Sequence, residues 1–339
     1  MLRQRKYIEY SAPAELGVLL PTKELPALVD DAIAVSQTLS AAVDKLTMFI
    51  RGGGLDAPFG AFNEKLDELA LSLAKYNMLA IELIEDAEGH VTDFNPVSPR
   101  FIRFFANDEG EVVGCAKIVD EQRNTIERHP LYDVGVVDGV KYSHENRIMV
   151  RGIFDPALIY PVPLATQVLL DAFVELSAKK STLRDAKFGF APDTIIFEYK
   201  NSASKEEDEF LQRYDDPYSA FAGSDAAKIM RIEYTNPDFK PEIVQLDKKN
   251  IAQEYDRVLE TAKANIFRRF GIPEILYGIP TAGKLGSVQE MRDAIYYTEH
   301  FIVRRYRDII ERALADVLSE HVLFAGQSSS VKIKSISVE

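Results

Sequence analysis

The sequence has no tryptophan among its 339 residues and a single cysteine, Cys115. One cysteine excludes a disulfide framework within the chain, which fits a reducing compartment. Cys115 lies in an apolar run at residues 111–119 and is expected to be a small buried residue of a strand. Long apolar runs are absent as well. Nothing approaches the roughly 20 residues that a membrane helix needs, and no apolar stretch follows the basic N-terminal residues Arg3, Arg5 and Lys6. Neither a membrane span nor a signal peptide is expected, so the expectation is a soluble, intracellular chain. Positive charge is in deficit: 40 Lys and Arg against 53 Asp and Glu give −13, which argues against indiscriminate nucleic-acid binding through a basic surface. The histidines, His90, His129, His144, His300 and His321, lack ligand spacing, so no metal is expected. No Ser/His/Asp or Cys/His arrangement marks a nucleophile. No catalytic residue and no cofactor are therefore assigned. Internal repeats and low-complexity runs are missing too.

What is present is 46% hydrophobic sequence, ample for a core and long enough for two or three domains. The most organised stretch is 247–322. Asp247 caps a helix whose apolar residues, from Ile251 through Leu259 and Ile266 to Phe270, step by three and four. Gly271 and Pro273 stop it. Ser287 and Glu290 have capping-box spacing and open a second helix. Its stripe runs Met291, Ile295, Ile302, Tyr306, Ile309, Ala313, Val317, and no Gly or Pro interrupts residues 288–323. At 1.5 Å per residue that predicts a continuous rod of about 50 Å. Between the helices, residues 274–286 are rich in glycine and show no strand alternation.

Upstream, residues 1–29 read as an extended arm and 30–49 as one amphipathic helix, closed by Gly52, Gly53 and Gly54. A helix at 62–76 follows. Strands are expected at 78–84, 91–94, 101–105 and 112–119, with short ones at 141–142 and 147–150. Residues 30–160 are thus an α+β domain with a mostly antiparallel sheet. Pro161 and Pro163 lead into a helix at 164–184. A small α/β insert occupies 185–247, with strands at 194–199 and 228–234, a further segment at 239–246 and an acidic helix around 206–214. The C-terminal run 331–338 (VKIKSISV) alternates strictly and needs a distant edge, with another subunit one candidate.

Gly278-Ile279-Pro280-Thr281-Ala282-Gly283-Lys284 matches the spacing of a phosphate-binding loop, whose glycines let backbone N–H groups wrap phosphates. Leu285 stands where that loop needs a Ser or Thr for magnesium, and a helix rather than a strand precedes it. A P-loop-like nucleotide hydrolase is the alternative this leaves. Arg304, Arg305 and Arg307 read as a solvated face paired with Asp308 and Glu311.

The run Ile266-Phe267-Arg268-Arg269-Phe270-Gly271-Ile272-Pro273-Glu274-Ile275-Leu276-Tyr277-Gly278 resembles a run of tailed-bacteriophage portal proteins, the head–tail connectors, of the PBSX-type portal family. In that family a variable loop and a long helix follow. Residues 160–165 are similar to the family's entry into the helix before its insert, without the usual glycine near 161. Residues 76–83 look like a family strand, with Asn77 where a glycine is usual.

The resemblance implies a portal fold: a 1–29 arm, a 30–160 wing, stem helices at 161–184 and 248–270 and a clip at 185–247. It continues with a tunnel loop at 271–287, a long helix at 288–324 and a C-terminal strand or tail at 325–339. It also implies a homo-oligomeric ring, a dodecamer in the family, at one capsid vertex of the virion, assembled in the host cytoplasm. Duplex DNA would pass through, pumped by the terminase large subunit. Head–tail adaptor, major capsid and scaffold proteins would be the other partners, and no membrane is involved. Tyr277, Gly278, Ile279, Pro280, Thr281, Ala282, Gly283 and Lys284 would form the tunnel loop, with Lys284 facing DNA. Lys248, Lys249 and Arg257 are the stem candidates. A structural adaptor that does not touch DNA is a further alternative.

Overall fold

The computed structural model describes residues 17–19, 25–106, 111–120, 125–156, 158–187, 194–199, 229–234, 243–245, 251–279, 288–324 and 331–336. The chain forms two compact units, residues 1–169 with 265–339, and residues 170–264. Both mix helix and sheet.

In the first unit, β1 (Gly17–Leu19) precedes α1 (Leu25–Val35) and α2 (Gln37–Arg51). The predicted single helix is therefore two, and the N-terminal arm is shorter than expected. Ser36 makes the break: its amide donates to Ala32 O at 3.0 Å, and its Oγ accepts from the Leu39 N–H at 3.1 Å. Such an N-cap satisfies a donor that a helix start leaves orphaned. Because the break is one residue long, buried Val29 and Ala32 and buried Leu39, Val43 and Leu46 stay in near-helical register. The apolar period runs through it unseen. α3 (Asn63–Tyr76) then packs on α2, and its Leu66, Leu69 and Leu73 are fully buried. Each such leucine is worth about 1.5–3 kcal/mol.

β2 (Met78–Glu85) sits between β3 (Val91–Val97) and β7 (Ile148–Gly152), all antiparallel. A separate antiparallel sheet has the order β1-β4-β5-β6, with β4 (Ile102–Ala106), β5 (Val112–Asp120) and β6 (Thr125–Pro130). The expected strand at 141–142 is not one. Tyr142 serves as a side chain instead, its hydroxyl donating to Val113 O at 3.0 Å. β6, which the sequence reading lacked, alternates poorly because Glu127 and Arg128 interrupt its apolar residues. Cys115 is buried in β5, where burial pushes its thiol up to about 12.

The helix predicted at 164–184 begins as a 3-10 turn, Leu164–Val168, before α4 (Leu169–Lys187). In the second unit β8 (Thr194–Tyr199) runs parallel to β9 (Ile229–Tyr234) and antiparallel to β10 (Ile243–Gln245). The acidic helix expected around 206–214 lies outside the described residues. α5 (Ile251–Phe270) ends the insert and returns the chain to the first unit.

The long C-terminal helix is not uniform. α6 (Val288–Tyr297) passes through a π-helical turn, Thr298–Val303, into α7 (Arg304–Ser319). A π-turn adds a residue per turn, so the buried face shifts. It runs Ala294, Thr298, Glu299, Val303, Tyr306, Ile310, Ala313, Leu314 and Val317, while Met291 of the expected stripe is exposed. Arg307, expected in solvent, is buried. Its Nη2 donates to Phe49 O at 2.5 Å and to Glu299 Oε1 at 2.9 Å, and its Nε to Phe49 O at 3.1 Å. Glu299 Oε1 also accepts the Ile336 N–H at 2.7 Å. The C-terminal segment thus finds its edge within its own chain. Ile333 bridges Leu55, Lys334 O accepts from Gly53 N at 2.8 Å, and Glu311 takes the Ile333 N–H at 2.9 Å. Gly52, with φ +58°, lies so close beneath that an added Cβ would sit 2.2 Å from Lys334 O.

Two outcomes follow from this packing. Arg307→Met strands the Glu299 carboxylate and the last carbonyls of α2, and should lower the unfolding free energy by about 3–5 kcal/mol in denaturant titration. Cys115 should resist alkylation at pH 8 in the folded protein and react at once in denaturant. Rapid native-state labelling would contradict its burial.

Candidate functional site

The base of the glycine-bearing loop is built by the end of α5. Ile266, Phe267, Phe270 and Ile272 are buried. Gly271 closes the helix with φ +71°, its N–H donating to Phe267 O at 3.0 Å. A Cβ there would lie 3.2 Å from Ile302 Cδ1, so the helix end sits directly against the π-turn. A single 3-10 turn, Glu274–Tyr277, follows, capped by Gly278 at φ +76°. Gly278 takes the left-handed conformation that glycine adopts without strain.

The predicted loop residues divide at this point. Tyr277 is an anchor: its ring packs on Phe267 at 4.2 Å, tilted 32°, and burial raises its phenol pKa. Gly278 and Ile279 are exposed. Pro280, Thr281, Ala282, Gly283 and Lys284 lie outside the described residues, as do Lys248 and Lys249. The Gly-x-x-x-x-Gly-Lys spacing thus follows a helix and a 3-10 turn, whereas a phosphate-binding loop follows a strand. Arg257 is exposed on α5, at the edge of a cleft of about 350 Å³ that Asp171 and Val174 of α4 share with Val258, Thr261 and Ala262 of α5.

Behind the loop base stands Tyr306 of α7. Burial raises its phenol pKa, with the nearby Arg269 and Arg305 pulling the other way. Its hydroxyl donates to Asn77 Oδ1 at 3.3 Å. Asn77 is the C-cap of α3 with φ +55°, the one non-glycine positive φ among the described residues. Its N–H donates to Leu73 O at 2.9 Å, its Nδ2 to Val162 O at 2.7 Å, and its own carbonyl accepts from Ile153 N at 2.9 Å. A left-handed C-cap is a glycine position that asparagine also tolerates. That explains the substitution noticed in the sequence: asparagine keeps the turn and adds two side-chain bonds.

Elsewhere, His129 is fully buried and stacked on His144 at 5.3 Å, with Glu127 3.7 Å and 3.3 Å from their Nε2 atoms. No cluster suited to a metal ion is found among the described residues. Nor is any described helix long and apolar enough to cross a membrane. The arrangement around Phe267, Tyr277 and Tyr306 pairs no nucleophile with a base. What it can do is anchor the N-terminal foot of the loop, at Glu274–Tyr277.

No family model matches the chain, and no curated protein matches it. Solved structures do. A chain in the virion of a native gene transfer agent particle superposes with a TM-score of 0.61 at 14% identity, over 94% of this chain and 85% of that one. The same figures hold for the neck of the native particle computed with C12 symmetry. An HK97-family phage portal protein from Corynebacterium diphtheriae aligns with a TM-score of 0.48 at 12% identity, covering 90% and 94%. The chain therefore has the fold of a chain in the gene transfer agent particle.

Asn77→Ala should cost roughly 2–3 kcal/mol, combining strain at a left-handed position with lost buried hydrogen bonds. Asn77→Gly should cost about 1 kcal/mol less, because only the bonds are lost. Thermal or urea unfolding of both variants measures the difference.

Proposed function

We propose that this chain is a portal protein. It assembles as a homo-oligomeric ring, a dodecamer, at one vertex of a phage-like particle, and duplex DNA passes through the ring during packaging and ejection. The observation that carries this reading is the likeness of fold over 94% of the chain to a chain of the gene transfer agent virion and neck. The run at residues 266–278, with a glycine-bearing loop between helices after it, supports the same reading and its PBSX-type branch.

In this reading residues 30–160 are the wing and 185–247 the clip. Residues 161–184 and 248–270 are the stem, 271–287 the tunnel loop, and 288–324 the helix behind it. The clip receives the terminase large subunit and later the head–tail adaptor, while the wing and long helix face major capsid and scaffold proteins. The chain works in the virion after assembly in the host cytoplasm. It does no chemistry of its own.

The physics of a conduit suits the composition. Each phosphate neutralised by Lys or Arg adds affinity through counterion release, so a channel that lets DNA slide must hold few cations. A chain of net charge −13 meets that condition. Lys284 supplies the loop's contact with passing DNA, and Lys248, Lys249 and Arg257 are the stem candidates. Tyr277 anchors the loop from behind rather than touching DNA.

Electron microscopy of the purified protein should show rings with an open channel as wide as duplex DNA. A monodisperse monomer would overturn the proposal, and so would nucleotide binding abolished by Lys284→Ala. Deleting residues 279–285 should leave rings intact and impair DNA packaging or retention; a particle with normal genome length would remove the loop from the DNA path.

A further inference from the structure

The charges of α7 fall into two sets. Its carboxylates are committed within the chain: Glu311 pairs with Lys332 at 2.7 Å, Asp308 lies close to the same lysine, and Asp316 pairs with Arg151 at 3.1 Å. Its exposed arginines are not. Arg304, Arg305 and Arg312 have no ion pair among the described residues, whereas Arg100, Lys117 and Arg147 of the same unit each hold a carboxylate within 3.2 Å. Phe301, 71% exposed, stands about one turn ahead of Arg304 and Arg305.

The opposite charge is left over on α2 and α3. Asp44, Glu64 and Glu68 are exposed and have no ion pair among the described residues. The cations of those helices do not cancel them: Arg51, Lys65 and Lys75 are paired with Asp67, Asp93 and Asp30, and Lys45 is half-buried. The Arg51–Asp67 pair ties the two helices together, and Met48 and Leu71 on them are 43% and 38% exposed. α7 packs against α2 and α3, so its exposed arginines and their exposed carboxylates both lie outside that contact.

We infer that the arginine face of α7 in one copy meets the carboxylate face of α2 and α3 in a second copy. Such a partner satisfies both faces at once. Duplex DNA would satisfy the arginines alone and leave the carboxylates, Met48 and Leu71 uncovered. Arginine, phenylalanine and methionine are residues that interfaces favour, and opposed charges fix register and exclude wrong partners. The two faces are different surfaces of one chain, so the contact is heterologous, and repeated contacts of that kind close into a ring when the rotation allows. The inference rests on the ring reading and names the surfaces that would make it.

Charge reversal in the full chain tests the pairing. Arg304→Glu with Arg305→Glu, and in a second protein Asp44→Lys with Glu68→Lys, should each weaken self-association about tenfold or more in sedimentation, because like charges then face each other. An equal mixture of the two proteins, and a chain carrying all four changes, should regain wild-type assembly. Melting curves should match wild type, since the four side chains are exposed and unpaired. Unchanged assembly in either protein overturns the inference. So does a loss that neither the mixture nor the combined chain restores, because the arginines would then meet some other anion. The two readings fail separately. Wild-type rings indifferent to the reversals overturn this contact alone, and open oligomers that lose and regain assembly with the reversals overturn the ring alone. A wild-type monomer overturns both.

Discussion

A helix that ends inside a protein leaves carbonyls with no intrahelical partner, and α2 ends that way. Phe49 is buried at its last turn, and the donor that reaches its carbonyl comes from Arg307, 258 residues later in the chain. A guanidinium so deeply placed needs a counter-charge, and Glu299 provides it from the π-turn. That carboxylate in turn accepts the amide of Ile336. One buried ion pair thereby joins the end of α2, the phase of the long helix and the course of the C-terminal segment. Burying it costs desolvation that apolar side chains in place of both partners would avoid. What the pair secures is a single arrangement of three segments distant in sequence.

The same pair explains where reading the sequence succeeded and where it stopped. Apolar periodicity located α3, α5 and the β2–β3 hairpin, because their burial depends on neighbours near in sequence. It missed the break at Ser36, since a one-residue N-cap barely disturbs the period. It ran α6 and α7 together because a π-turn leaves no Gly or Pro behind. Glu299 and Arg307 are eight residues apart, about 80° around an uninterrupted α-helix, so nothing local paired them. The signal that was available was Asn77: an asparagine in a glycine's place points to a left-handed cap, and its partners Tyr306 and Val162 lie far along the chain.

The candidate site was legible to a similar degree. The helix ending at Gly271 and the turn at Pro273 were readable from glycine and proline alone. Tyr277 was grouped with the loop, yet its ring belongs to Phe267 and the protein interior. An aromatic residue at a loop's edge has two meanings in sequence, contact or anchor, and the neighbour that decides between them sits one helical turn and a tight turn away. The glycine–lysine spacing was ambiguous for a related reason. Its chemistry depends on what precedes it, and a helix followed by a 3-10 turn presents backbone amides differently from a strand.

The π-turn has one further consequence, which concerns angular phase. Each residue of an α-helix advances about 100°, so α6 and α7 are two rotors on one axle, set against each other by a residue count. Removing a residue from Thr298–Val303 would leave both helices intact, with Arg307 still facing α2. It would swing everything ahead of the turn by roughly a quarter revolution. The direction in which Tyr296 and Tyr297 look out from the molecule is therefore encoded by length and not by side-chain identity. An insertion or deletion there would reorient that surface in one step, where substitutions would change it piecemeal.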